Sequence, residues 1–191
     1  MQTTRASLLI RIRDRRDAAA WEEFDAIYRP MLLRFATLRG LEHAAAEDVV
    51  QQCLIAVQEH IERFDYDPKR GRFKGWLRTL VNNRIRNLRR DRRETPGESG
   101  DFQRGQEREE SPEETFDRLW MEEHLRHCLQ RVRGETDEPT FRAFEWYVLE
   151  ERPVEEVCQA LNLTANQLYK IKWRLTQKLA EHMKELTEGE D

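Results

Sequence analysis

Apolar residues recur every three or four positions along most of the 191-residue chain, and runs of strictly alternating apolar and polar residues do not appear. This spacing matches the 3.6-residue period of amphipathic helices rather than the two-residue period of strands. We therefore predict an all-α protein.

The N-terminal half of the chain predicts three helices. The first begins near Asp17, a suitable N-cap, and ends at Gly40, with a kink or a restart at Pro30. The second helix runs from about 45 to 64 and the third from about 73 to 92. Each has its apolar residues on one side of the helical wheel and therefore has a face to bury.

The C-terminal half opens with Ser111-Pro112-Glu113-Glu114, a capping box that predicts the start of a helix. Another helix is predicted from Pro139, and Pro153 restarts the chain into a short helix. Asn162 and Leu163 then form a tight turn before a longer helix. These elements predict a helix-turn-helix near the C-terminus.

The longer helix of this pair is capped by Thr164, with Gln167 completing a second capping box. Its inward stripe consists of Leu168, Ile171, Leu175 and Leu179. Polar and basic side chains lie outside the stripe, as a helix that contacts base edges and phosphates requires. Tyr169 and Trp173 could pack on the domain or flank DNA, and we interpret Trp173 as structural.

Between the two halves, residues 94–110 have almost no apolar content and predict a flexible acidic linker. From Glu94 to Thr115 there are eight acidic residues against two arginines. The predicted organisation is therefore a helical domain at 1–93, a linker at 94–110 and a second helical domain at 111–187.

A strongly basic segment ends the first domain. From Tyr66 to Arg93 it contains eleven Lys or Arg against two acids, with aromatic residues just before or within it. Basic surfaces attract phosphates and exposed aromatic rings stack on unpaired bases, so the segment indicates contact with DNA that is or becomes single-stranded.

Composition restricts the function classes further. The formal net charge is −4, whereas a protein that binds DNA unaided is typically basic, so we expect weak autonomous binding that a partner corrects.

The three cysteines are far apart and predict buried thiols rather than a metal site. No signal peptide and no membrane-spanning run is evident, which favours the cytoplasm.

Both halves together resemble the extracytoplasmic-function (ECF) sigma factors of bacterial RNA polymerase, and three local matches carry this resemblance. Ala46–Leu54 looks like the segment that docks on polymerase, although Gln52 replaces the family's usual acid. Phe73–Leu77, followed by Val81-Asn82, looks like the promoter-melting and −10 segment. Leu168–Leu175 looks like the −35 recognition helix of one branch of the family.

The resemblance implies two helical domains, core RNA polymerase as a partner through its β′ coiled coil and β flap, promoter DNA, and possibly an anti-sigma factor. It implies no cofactor, no metal and no catalytic residue. The implied polymerase-binding residues are Asp48, Gln51 and Gln52. The implied −10 residues are Lys69, Arg72, Phe73, Lys74, Asn82, Asn83, Arg86 and Arg89. The implied −35 residues are Thr164, Asn166, Gln167, Lys170, Lys172, Arg174 and Lys178.

For Phe73, a place in the core and a place against DNA remain open, and Trp76 is interpreted as core. The alternative function is a stand-alone helix-turn-helix regulator that is not a polymerase subunit, and it predicts tight binding by the purified protein. A helical adaptor that never touches DNA is a further alternative. An enzyme is the weakest choice, because the five histidines form no catalytic or metal-binding pattern.

Overall fold

The computed structural model describes residues 8–63, 72–94 and 110–187, and within these ranges the chain forms helices and turns but no strand. The all-α prediction is confirmed. The helices are α1 Leu8–Arg11, α2 Ala18–Leu38, α3 His43–His60, α4 Arg72–Glu94, α5 Pro112–Gly134, α6 Glu138–Phe144, α7 Val154–Leu161 and α8 Ala165–Thr187. A 3₁₀ turn, Ile61–Arg63, follows α3, and a π-helical turn, Glu145–Leu149, extends α6.

The chain divides into two compact units. The first unit comprises Met1–Glu123 together with Leu186–Asp191, and the second comprises His124–Glu185. The division falls inside α5, whereas the domain boundary predicted from the sequence lies at residue 111. The predicted linker at 94–110 lies almost wholly outside the described residues. The functional domain boundaries therefore stay a prediction.

The ends of α2 follow local sequence signals. Asp17 caps the helix by accepting a hydrogen bond from the backbone N–H of Ala20 at 2.9 Å. At the other end, Gly40 has a φ of 84°, a left-handed conformation that glycine adopts without a Cβ penalty. The N–H of Gly40 bonds the Thr37 carbonyl and that of Leu41 bonds the Ala36 carbonyl. This is a Schellman motif, as the glycine predicted.

Pro30 does not restart the chain, contrary to one of the two outcomes predicted for it. α2 is a single helix with Pro30 inside it. The missing N–H leaves the carbonyl of Ala26, four residues earlier, without its helical donor, but Ala26 is exposed and water can serve instead. Tyr28 and Met31 on either side are fully buried, so packing holds the helix together across the proline.

Aromatic rings fill the core of the first unit, where α2, α3 and α4 pack on one another. Phe24 and Tyr28 of α2 lie 6.0 Å and 5.7 Å from the ring of Phe73, which begins α4, and both meet it edge to face. This arrangement is the favoured one for aromatic pairs. Aromatic rings thus join α2 to the start of α4, although the two helices are distant in sequence.

The N-terminal half of α5 completes this core. Phe116 meets Phe35 edge to face at 5.3 Å, and Trp120 lies 5.3 Å from the ring of Tyr28 and 6.2 Å from that of Phe73. Only 4% of Trp120 is exposed. The segment begins with the predicted capping box: Ser111 and Glu114 each accept a hydrogen bond from the other's backbone N–H.

The second unit is a separate small helical core. Val132, Phe141, Phe144 and Leu175 form one buried cluster, and Ala143, Val157 and Leu168 form another. Leu168 and Leu175 are the buried members of the inward stripe predicted for α8, and Ile171 and Leu179 pack beside them. The amphipathic pattern therefore identifies the face of α8 that is buried.

The turn between α7 and α8 follows its residue types. Asn162 adopts a left-handed conformation, with φ 52° and ψ 48°, which asparagine tolerates better than most residues. Thr164 and Gln167 form the predicted capping box, since Gln167 Oε1 accepts from the Thr164 N–H at 2.8 Å and Thr164 Oγ1 accepts from the Gln167 N–H at 3.3 Å. The two helices therefore have fixed ends at the turn.

Candidate nucleic-acid interface

The predicted −10 face of α4 is exposed at its centre. Asn83 and Arg86 are exposed, one turn apart, opposite the buried residues Val81 and Ile85. Asn82 is half-buried, and its side-chain amide donates to the Arg78 carbonyl at 2.9 Å. Asn83 and Arg86 can therefore reach a ligand directly, whereas one amide donor of Asn82 is already used within the helix.

Arg89 differs from Arg86 because it is tied to the end of α2. Its guanidinium donates to the backbone carbonyl of Arg39, fifty positions away. The two arginines border an open pocket of about 440 Å³. The residues lining it are Arg39, Asn82, Ile85, Arg86, Arg89 and Arg90. Three predicted −10 residues thus meet here, together with two arginines that the sequence did not single out.

The N-terminal end of α4 is partly neutralised by α5. Lys74 Nζ lies 3.1 Å from an oxygen of Asp117, and Arg78 lies 3.9 Å from the same oxygen. Lys74 also lies over the ring of Trp120, 5.9 Å from its centroid. Of the other predicted −10 cations, Lys69 and the side chain of Arg72 lie outside the described residues.

Phe73 lies in the core rather than on the surface. It has no exposed area, so it cannot stack on an unpaired base in this conformation, and the DNA contact predicted for it has no support here. Trp76 is half-buried and packs on Phe73 with ring centroids 5.8 Å apart, in line with its interpretation as core. The burial of Phe73 depends on contacts with Tyr28 and Trp120. The sequence pattern around Phe73 does not indicate these contacts, because both partners lie on other helices.

The three predicted polymerase-binding residues share one face of α3. Asp48, Gln51 and Gln52 are all exposed, and Gln51 accepts a hydrogen bond from Arg29 at 3.3 Å. One turn further on, Ile55 is 45% exposed on this same face. Sequence reasoning missed Ile55, although its position seven residues after Asp48 is the signal that could have revealed it.

The predicted −35 residues on the exposed side of α8 fall into two groups: three form a row along the helix, and two bond each other in its N-terminal cap. Asn166, Lys170 and Arg174 are exposed at four-residue intervals and form one row along the helix. Thr164 and Gln167 are also exposed, but they bond each other in the cap. The row of three is therefore the part of the predicted −35 surface that is most accessible to a ligand.

The remaining predicted −35 cations, Lys172 and Lys178, contact other residues of the second unit. Lys172 lies over the ring of Tyr147 at 5.3 Å from its centroid. Lys178 Nζ lies 2.8 Å from Glu135 Oε2, and this bond is the main cause that lowers the pKa of Glu135 below its ordinary value. His182 Nε2 lies 3.1 Å from the same oxygen. Lys178 is thus held by its contact with Glu135.

The interpretation of Trp173 as structural is wrong. Trp173 is 68% exposed, and Tyr169, one turn earlier, is 49% exposed. Both lie beside the row of Asn166, Lys170 and Arg174 on the outside of α8. Exposed aromatic rings next to cations form a surface suited to a sugar–phosphate backbone or to another protein.

The cysteines behave as small apolar residues. Cys53 and Cys128 are buried and Cys158 is half-buried, and all three are free thiols. Burial raises the pKa of Cys53 to about 12, although the charge of Arg84 opposes the shift. A thiol that stays protonated is a poor nucleophile and a poor metal ligand, so Cys53 contributes packing.

The match to known proteins falls on the surface built by α2, α3 and α4. Residues 26–95 match the family model for sigma-70 region 2. This part of the chain is therefore similar to sigma-70 region 2, and the exposed faces of α3 and α4 lie within the matched residues.

The alignment with a named relative narrows the class of sigma factor that this chain resembles. The chain is 32% identical over 96 residues to the ECF RNA polymerase sigma factor RpoE of Cereibacter sphaeroides, an alignment that covers 50% of this chain and 52% of the relative. The resemblance to ECF sigma factors is thereby confirmed. The chain aligns with only about half the length of this relative. A solved structure titled "Structure of CnrH in complex with the cytosolic domain of CnrY" aligns over 91% of this chain and 93% of its own, with 18% identity and a TM-score of 0.37.

No helix among the described residues is long and apolar enough to cross a bilayer.

Proposed function

We propose that this protein is a sigma factor: it binds core RNA polymerase and directs initiation at particular promoters by contacting their −10 and −35 elements and melting the DNA. The observation that carries the proposal is the sigma-70 region 2 match at residues 26–95, which includes both the α3 face and the basic α4 face. A transcription initiation factor of this kind performs no catalysis of its own.

Polymerase docking is proposed for the exposed face of α3. Asp48 supplies a charge, Gln51 and Gln52 supply amides, and Ile55 supplies an apolar surface beside them. Interfaces commonly combine an apolar centre with a polar rim that fixes orientation. The β′ coiled coil is the proposed partner, and an anti-sigma protein could inhibit by covering this same face.

Contact with the −10 element is proposed for the α4 face, with Asn83 and Arg86 at its centre. Lys69 and Arg72, which come before Phe73 in the sequence, are proposed to add further positive charge. Lys74 joins them by exchanging Asp117 for a phosphate. The exchange is inexpensive, because a surface ion pair is worth only about 0–1 kcal/mol. Asp117 is itself half exposed in this pair.

Contact with the −35 element is proposed for α8, through the row of Asn166, Lys170 and Arg174. Amides and lysines at the start of a recognition helix can bond base edges, and arginines further on can bond phosphates. Thr164 and Gln167 would hold the helix start in position, and Lys172 and Lys178 would add positive charge near the backbone. The β flap is the proposed polymerase contact of this domain.

The stand-alone regulator is the weaker candidate. A helix-turn-helix regulator has no need of a region 2 domain, whereas the family match covers residues 26–95. The net charge of −4 also favours a protein that reaches DNA together with a partner.

Promoter opening by the reconstituted holoenzyme tests the proposal. Asn83→Ala combined with Arg86→Ala should lower the open fraction, measured by permanganate reactivity, by roughly thirtyfold or more. The reason is that an amide contact and a charge-assisted contact are both lost, each worth at least 1 kcal/mol. Affinity for core polymerase should stay unchanged. Both residues are exposed, so folding is spared.

Arg16→Ala is the matched control, because it removes an exposed arginine elsewhere in the first unit. Normal opening by the double variant would contradict the assignment of the α4 face to the promoter. Loss of polymerase binding by the double variant would mean that the face binds polymerase instead.

A further inference from the structure

Arg29 links α2 to the edge of the α3 face proposed for polymerase docking. Its Nε donates to both carboxylate oxygens of Asp25, one turn earlier on α2, at 3.0 Å and 2.9 Å. From this position its Nη2 donates to Gln51 Oε1 at 3.3 Å, and its Nη1 lies 3.9 Å from Glu47 Oε2. The Arg29 side chain is 33% exposed, so most of its surface is covered by its neighbours.

The direction of the bond between Arg29 and Gln51 determines how the Gln51 carboxamide is oriented. A guanidinium has only donors, so the amide must turn its oxygen towards Arg29. The amide NH₂ group is then left to donate away from Arg29. Gln51 is exposed, so this donor is open to a ligand.

A side chain that is already held loses less conformational freedom on binding than a mobile one. An exposed glutamine has much rotamer freedom to lose, and this loss opposes binding. Arg29 removes part of that freedom in advance, because it holds one end of the Gln51 carboxamide and is itself held by Asp25. Arg29 can therefore strengthen docking without touching the partner.

We propose that Arg29 is a positioning residue for polymerase docking. It holds Gln51 so that the amide NH₂ group faces the β′ coiled coil, where the group opposite it is a hydrogen-bond acceptor. The proposal rests on the docking role proposed for the α3 face, and it adds to that role a residue from a different helix.

A double-mutant cycle between Arg29 and Gln51 tests the proposal, with the affinity of the full-length protein for core polymerase measured by biolayer interferometry. Arg29→Met should weaken binding roughly threefold, because Gln51 then loses its orientation. Gln51→Ala should weaken binding roughly fivefold, because a hydrogen bond to the partner is lost. The double variant should bind as Gln51→Ala alone does, because Arg29 acts only through Gln51.

Two conservative variants separate orientation from charge. Arg29→Lys keeps the charge but lacks the planar fork that bonds Asp25 and Gln51 together, so it should lose as much affinity as Arg29→Met. Gln51→Glu can still accept from Arg29 but presents no donor, so it should bind no better than Gln51→Ala. The urea midpoint of each variant should stay near that of the wild type, because ion pairs between partly exposed side chains contribute little to stability.

Arg15→Met is the matched control. It removes an exposed arginine, paired with Glu62, from the same unit, and it should leave the affinity for polymerase unchanged. Additive losses in the double variant, full affinity of either Arg29 variant, tighter binding by Gln51→Glu, or an equal loss with Arg15→Met would overturn the proposal.

Asp48→Ala separates this proposal from the docking role on which it rests. If Asp48→Ala and Gln51→Ala weaken binding but the Arg29 variants do not, only the positioning role of Arg29 is wrong. If none of these variants weakens binding, the docking role of the α3 face is wrong as well.

Discussion

Arg86 and Arg89 lie one turn apart on α4, yet their side chains serve different purposes. Arg86 is exposed, whereas Arg89 is half-buried and bonds the carbonyl of Arg39. Substituting Arg89 would break a link between α2 and α4 and would confuse loss of DNA contact with loss of structure. Substituting Arg86 together with Asn83 avoids this confusion, because both side chains are exposed and neither links α4 to α2.

The exposed apolar side chain of Ile55 allows the α3 face to be tested by a single substitution. Ile55→Ser should weaken binding to core polymerase roughly three- to tenfold, because docking can bury only the 45% of Ile55 that is exposed, which contributes about half of the ~1.5–3 kcal/mol of a fully buried isoleucine. The free energy of unfolding should change by less than about 0.5 kcal/mol, since the residue is exposed and Ser and Ile have similar helix propensities. Biolayer interferometry with immobilised core polymerase measures the affinity.

Leu38→Ser is the matched control for Ile55→Ser. Leu38 is 59% exposed at the end of α2 and belongs to the same unit, but it is not on the α3 face. If both variants lose equal affinity, or neither does, the assignment of Ile55 to the polymerase interface is wrong.

At the scale of elements, the first half of α5 is the least expected feature. Its sequence signals a helix with a capping box, and both are present. Nothing in its local pattern indicates that Phe116 and Trp120 pack with the rings of α2 and α4. This packing is non-local, and it decides that Phe73 is buried.

Trp120→Ala tests how much α5 stabilises the first unit. The substitution should lower the free energy of unfolding by about 3–5 kcal/mol, because it removes a large side chain from contact with Tyr28, Phe73 and Phe116. Urea denaturation followed by circular dichroism measures the change. Met121→Ala is the control on the neighbouring, 56% exposed position, where the expected change is below about 0.5 kcal/mol. Similar losses in the two variants would contradict this packing.

The ion pair between Glu135 and Lys178 gives the second unit a pH dependence. The pKa of Glu135 is lowered in the folded protein, chiefly by the hydrogen bond from Lys178, so the carboxylate stabilises the fold above its ordinary pKa. This stabilisation is lost as the pH falls through the lowered value. Because Glu135 is 41% exposed, this stabilisation amounts to at most about 1 kcal/mol.

Lys178→Met should therefore be less stable than the wild type at pH 7, and the difference should shrink as the pH falls through the lowered pKa of Glu135, because the carboxyl is then protonated in both proteins. Urea midpoints measured in a series from pH 7 downwards give the comparison. Lys170→Met, an exposed position on the same helix, should match the wild type throughout the series. A difference for Lys178→Met that does not change with pH would show that lost packing, not charge, is responsible.

Helices, caps and inward stripes could be predicted from the sequence because they depend on residues three or four positions apart. The caps at Asp17 and Thr164 and the buried face of α8 are examples. The burial of Phe73 and the exposure of Trp173 could not be predicted, because they depend on helices far away in the chain. Phe73 is buried by such contacts, whereas Trp173 is 68% exposed.

The candidate site was predictable to the same extent. The faces of α3 and α4 follow from helical periodicity, but Arg39 enters the α4 pocket only because the end of α2 packs there. Likewise, the partners of Lys74 and Lys178 come from other elements, and no spacing along α4 or α8 indicates them.

Across the whole molecule, positive charge is local and the total is −4. Under the proposed function, the basic faces of α4 and α8 would attract DNA only at short range, because salt screens the distant acids there and the net charge gives no long-range attraction. This distribution fits a protein that is delivered to promoters by a larger partner. It also predicts that the isolated protein binds promoter DNA far more weakly than its complex with polymerase.

The most direct test is to add the purified protein to core RNA polymerase with a genomic promoter library and to sequence the transcripts. We expect new start sites that share a −10 and a −35 sequence, that depend on the added protein, and that are lost with the Asn83→Ala and Arg86→Ala variant. A transcript population identical to that of core polymerase alone would contradict the sigma-factor proposal.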